Sequence, residues 1–94
     1  MTVLLAPEAE EDLRCLVDYL RDRNPIAAAQ LLDRVFTIID RLAAGDFEGP
    51  EQTLRTGDRV RSWPCPPVRI YYQRQAGALW VMRVYDQRQR PLAP

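Results

Sequence analysis

The sequence predicts a single α+β domain spanning residues 1–94, with element order β-α-α-β-β-β and a helical hairpin packed on one face of a mainly antiparallel sheet. Three observations lead there. Two amphipathic helical patterns follow one another in the first half, β-rich runs fill the second half, and the β-α-β alternation that marks a parallel sheet is missing. Length agrees, because 94 residues give one core, and a domain of this size buries only roughly 60–65% of its extended-chain surface.

Thr2–Leu5 is a β-branched and aliphatic run suited to a first strand. Pro7 then fits the first helical position, and Glu8, Glu10, Glu11 and Asp12 place negative charge where a helix dipole favours it. Ala9, Leu13, Leu16, Val17 and Leu20 recur at i, i+4, i+7, i+8 and i+11, one face of a helix ending near Asp22. Asn24-Pro25 repeats the start signal: a capping side chain, then proline. Ala28, Leu32, Val35, Phe36, Ile39, Leu42 and Ala43 form the apolar face of a second helix, and Gly45 is a natural stop. So short a turn between two helices makes them an antiparallel hairpin.

From Gly57 the period changes. Arg59–Trp63, Val68–Gln73 and Leu79–Tyr85 are strand-like, separated by a proline loop and then by Arg74-Gln75-Ala76-Gly77, whose glycine suits a hairpin turn. Alternation assigns Val68, Ile70, Tyr72, Trp80, Met82 and Val84 to the face that meets the helices. The opposite face then carries Arg69, Tyr71, Gln73, Val81, Arg83 and Tyr85, joined by Arg59, Arg61 and Trp63. An apolar and cationic patch of this kind marks an interface. The alternative is a set of solvated strand residues with aromatic cross-strand packing, which needs no partner.

Charge points to the same half. Residues 1–54 hold eleven acidic side chains against five arginines, a formal charge of −6, whereas residues 55–94 hold eight arginines against Asp58 and Asp86, a formal charge of +6. Lys and His are absent, and five of the eight aromatic residues (Trp63, Tyr71, Tyr72, Trp80 and Tyr85) lie in the basic half. Planar guanidinium groups among aromatics suit recognition of phosphates, carboxylates and stacked rings. Arginine cannot act as a general base, because its pKa exceeds about 12, so such a face is better equipped to bind than to shuttle protons near neutral pH.

Other site classes find little support. Cys15 and Cys65 are fifty positions apart without a histidine, so neither a zinc site nor a redox pair is expected, and both are expected as unpaired thiols, Cys65 in an exposed proline loop. The acidic run at 8–12 points around the helix and is explained by the dipole, so no metal and no cofactor are expected. No apolar run approaches the ~18 residues of a membrane span. Met1–Ala6 lacks a basic flank and runs into acidic residues, unlike a signal peptide, which implies a cytoplasmic protein.

Several segments together resemble the RelE/ParE toxin superfamily of bacterial type II toxin-antitoxin modules, the ParE branch more than the RelE branch. They are Leu5-Ala6-Pro7-Glu8-Ala9-Glu10-Glu11-Asp12-Leu13, Tyr19-Leu20 with Arg23-Asn24-Pro25-Ile26-Ala27-Ala28-Ala29, Val68-Arg69-Ile70-Tyr71-Tyr72 and Met82-Arg83-Val84-Tyr85-Asp86-Gln87-Arg88. They follow the family's order and spacing over nearly the whole chain.

The resemblance implies a toxin that inhibits DNA gyrase without being an enzyme and is neutralised by a cognate antitoxin, with which it forms an oligomer. Target and antitoxin contacts would fall on Arg59, Arg61, Trp63, Arg69, Tyr71, Arg83, Tyr85, Arg88 and Arg90. The alternative, from the RelE branch, is a metal-free messenger RNA endonuclease acting on the ribosome, with Arg61, Arg69, Arg83 and Tyr85 at its centre. A third reading is an inert binding module with a toxin-like fold.

Overall fold

A computed structural model describes residues 1–86 of the chain. It contains strand β1 (Thr2–Leu5), helices α1 (Pro7–Arg23) and α2 (Pro25–Ala44), and strands β2 (Glu51–Thr53), β3 (Arg59–Cys65), β4 (Val68–Gln75) and β5 (Ala78–Asp86). The strands form one sheet in the order β1-β5-β4-β3-β2. Every pairing is antiparallel except that of β1 with β5. The predicted α+β architecture therefore holds, with β2 as an addition: Glu51-Gln52-Thr53 is too short and too polar to announce itself.

The helix boundaries follow from local chemistry. Pro7 is the first helical residue of α1, with Glu8 and Glu10 in its first turn and Arg21 and Arg23 in its last. Asn24 serves both helices, since its backbone N–H donates to the Leu20 carbonyl at 2.6 Å and its side-chain oxygen accepts from the Ala27 N–H at 3.1 Å. Gly45 closes α2 in the left-handed region at φ 81°, where a side chain would be strained.

Ala9 and Leu13 of α1 and Leu31, Val35, Ile39 and Leu42 of α2 pack on Val68, Ile70, Tyr72, Leu79, Val81 and Val84 of the sheet. Each large side chain so buried contributes roughly 1.5–3 kcal/mol. Phe36, expected here, is instead 38% exposed. Val35, Ile39 and Leu42 centre the buried stripe of α2, and Phe36 lies about 100° round the helix from Val35.

A bulge changes which β5 residues reach this core. Tyr72 opposes Val81 but Tyr71 opposes Arg83, so Met82 is an extra residue in β5. Below it Leu79 and Val81 face the helices, and above it Val84 does. Val81, expected on the open face, is thus core, while Trp80 and Met82, expected in the core, lie on the far side. Strand β3 is also out of phase with the expectation. Arg61 opposes Tyr72 and Trp63 opposes Ile70, which places both on the helical face, with Trp63 stacked on Phe47 at 4.2 Å. Cys65, expected in an exposed loop, is the last residue of β3 and is buried.

The sheet has a second, smaller cluster on its other side. Leu54, Val60 and Tyr71 are buried there, with Met82 and Tyr85 packed against them.

Candidate functional site

Strand register sorts the nine residues expected to bind a partner into four groups. Arg69 and Tyr71 of β4 and Tyr85 of β5 share the face away from the helices. Arg59, Arg61 and Trp63 alternate onto the helical face of β3. Arg83 belongs to the bulge and turns toward α1, and Arg88 and Arg90 lie outside the described residues.

Arg83 is engaged by α1. Its Nε and Nη2 donate to the two carboxylate oxygens of Asp12 at 2.7 and 2.9 Å, and the same carboxylate accepts from the Val84 N–H at 3.1 Å. Its guanidinium carbon also lies 5.2 Å from the Tyr85 ring centre. The carboxylate hydrogen bond drives the Arg83 pKa still higher, so its charge is permanent. This pair ties α1 to β5 and fixes the bulge.

Arg61 and Arg74 are similarly committed, at the other end of the sheet. Arg61 donates to the Gly49 carbonyl at 2.8 Å, while Arg74 donates to Glu48 at 3.0 Å and to the Leu42 carbonyl at 2.7 Å. The buried Tyr72 hydroxyl donates to Glu48 at 2.5 Å and accepts from the Gly49 N–H at 2.8 Å. Burial and the Glu48 hydrogen bond both push the Tyr72 pKa up, which keeps it a neutral donor. Gly49 must be glycine, because a Cβ there would come within 1.8 Å of the Ser62 carbonyl oxygen. Together these contacts strap the 45–50 segment to the sheet.

What remains available is the middle of the open face. Trp80 alternates with the buried Leu79 and Val81, Met82 and Tyr85 flank Tyr71, and Leu4 of β1 pairs with Trp80 and is 37% exposed. Trp80, Met82 and Tyr85 are half-buried. Arg69 borders this patch, its Nε donating to Ser62 Oγ at 2.8 Å. Leu4, Trp80 and Met82 were not among the expected contacts. The Leu79-Trp80-Val81-Met82 run has no alternation to phase it, whereas the alternate placing of Trp63 and Cys65 did contain the correct phase of β3.

The patch can bind an apolar or aromatic surface and, through Arg69, a carboxylate or phosphate. Among the described residues no cluster of three or more potential metal ligands occurs, and no helix is long and apolar enough to cross a membrane.

Residues 3–91 match the model of a family described as the ParE toxin of the type II toxin-antitoxin system parDE. Among solved structures, the chain is similar to one titled chromosomal ParDE TA system from P. aeruginosa. The TM-score is 0.74 at 15% identity, covering 92% of this chain and 95% of that one, a likeness of fold. No curated protein sequence matches.

Proposed function

We propose, for a chain that belongs to the ParE toxin family of type II toxin-antitoxin systems, that it acts in the cytoplasm by binding and inhibiting DNA gyrase, and that a cognate antitoxin neutralises it. The observation that carries this reading is the open sheet face: Leu4, Trp80, Met82 and Tyr85 form an accessible apolar patch bordered by Arg69. Such a patch suits a protein surface, with aromatic anchors at the centre and a guanidinium at the rim. Chemistry supports a binding role. The chain has neither histidine nor lysine, and Arg61 and Arg83, two of the cations a nuclease centre would need, are held by Gly49 and Asp12.

The test is a supercoiling assay with purified gyrase. The wild-type chain should inhibit it, the antitoxin should relieve the inhibition, and Trp80→Ala should weaken both effects while leaving the melting temperature near that of wild type. Codon-linked cuts in messenger RNA on translating ribosomes, with gyrase unaffected, would overturn this reading in favour of a nuclease.

A further inference from the structure

One edge of α1 alternates in charge beside an apolar line that the fold leaves uncovered. Where α1 and α2 meet, a furrow of about 390 Å³ is lined by Leu13 and Val17 of α1 and by Leu32 and Phe36 of α2. Phe36 is 38% exposed, and Val17 and Leu32 are half-buried. The furrow is bordered on α1 by Glu10, Arg14, Asp18 and Arg21, all exposed. These stand at i, i+4, i+8 and i+11, so they follow one another along a single edge of the helix. Their order is acid, base, acid, base.

Two carboxylates and two guanidinium groups balance, so this row favours neither a wholly basic nor a wholly acidic partner. What it matches is the same alternation reversed. A two-fold dimer supplies that match, because each surface then meets its own copy. With the axis perpendicular to α1 the two helices run antiparallel, Glu10 of one copy opposes Arg21 of the other, and Arg14 opposes Asp18, each pair occurring twice. The midpoints of the two pairs, one between Cys15 and Leu16 and one at Leu16, differ by only about 0.75 Å of helix. One axis therefore serves both. A parallel arrangement would set every charge opposite itself. Within one chain Arg14 is paired with Glu11, an exposed contact that contributes little and leaves Arg14 able to change partner.

We infer that this edge of the helical hairpin is a self-association surface, through which two copies of the chain pack α1 against α1 antiparallel. Each α1 lies in the other copy's α1–α2 furrow and covers Val17, Leu32 and Phe36, with the charge pairs along the rim. The surface belongs to the helical side of the molecule and is separate from the open sheet face, so it does not depend on the gyrase reading.

Sedimentation velocity of the purified full chain over a range of concentrations tests the inference. A dimer should form and dissociate on dilution. Phe36→Ala should weaken it by about tenfold, as loss of an anchoring aromatic does. Glu10→Arg alone and Arg21→Glu alone each put like charges opposite one another at two places in the dimer, and each should weaken it by about tenfold or more. The double variant, Glu10→Arg with Arg21→Glu, makes those pairs opposite again and should recover dimerisation. An equimolar mixture of the two single variants should form the mixed dimer in preference to either homodimer. A change that merely damaged the fold would not be repaired by adding a second, so the recovery separates pairing from stability. A monomer at every concentration, a dimer indifferent to Phe36→Ala and to the charge reversals, a double variant that stays monomeric, or a dimer lost on Trp80→Ala instead would each overturn it.

Discussion

Arg83 is a cation that strand alternation assigns to a ligand and the fold assigns to Asp12, a residue 71 positions away. Nothing in the local pattern around either residue announces the pair, because a bulge in β5 and the docking of α1 together create it. Removing the carboxylate would leave the guanidinium and the Val84 N–H without their partner in a part-buried site. Asp12→Ala should therefore lower stability by about 2–3 kcal/mol in urea denaturation. A loss under 0.5 kcal/mol would show that water replaces the carboxylate at no cost. The thiol of Cys15 is governed by an equally local contact. It donates to Glu11 at 3.4 Å, and this hydrogen bond, with the neighbouring negative charge, pushes its pKa up. Despite its exposure, Cys15 should alkylate more slowly than free cysteine at neutral pH, and Glu11→Gln should speed it up.

The secondary-structure elements were legible in proportion to how local their causes are. Both helices follow from proline, capping and apolar spacing, and the Asn24 double cap is visible in the sequence as Asn24-Pro25. The open face was legible in part: Arg69, Tyr71 and Tyr85 are where alternation puts them, but Trp80 and Met82 are not, since a bulge in a continuous apolar run leaves no sequence mark. The β4–β5 turn offers a test of local strain. Ala76 and Gly77 both have positive φ, 49° and 76°, the geometry of a hairpin turn that favours Asn-Gly. A left-handed alanine is disfavoured by roughly 1–2 kcal/mol, and asparagine tolerates that region better. Ala76→Asn should accordingly raise the melting temperature, and a lower value would mean that the turn is held by contacts other than its own backbone preference.

At the scale of the whole molecule, the sorted charge of the sequence turns out to join the two halves rather than to leave one of them bare. Of the eight arginines in residues 55–94, Arg59 and Arg61 pair with Glu51, Arg74 with Glu48 and Arg83 with Asp12, all carboxylates of the acidic half. Partner binding at the open face should then be less sensitive to salt than a +6 surface implies, because half of those cations are already matched. The same ion pairs make the fold responsive to acid. At Glu48 burial works to raise the pKa, but the Tyr72 hydroxyl and the Arg74 guanidinium outweigh it and hold the group below its ordinary 4.5. A depressed carboxylate stabilises the native state fully above its unfolded pKa, and that contribution disappears as pH falls through the folded value. Urea denaturation of wild type and Glu48→Gln should therefore show wild type the more stable near neutral pH, with the gap closing only as the pH drops below about 4.5. The strap that Glu48 holds, through Tyr72 and Gly49, is what the acid would release. A gap that persists unchanged to low pH would assign the stabilisation to the shape of that segment and not to its charge.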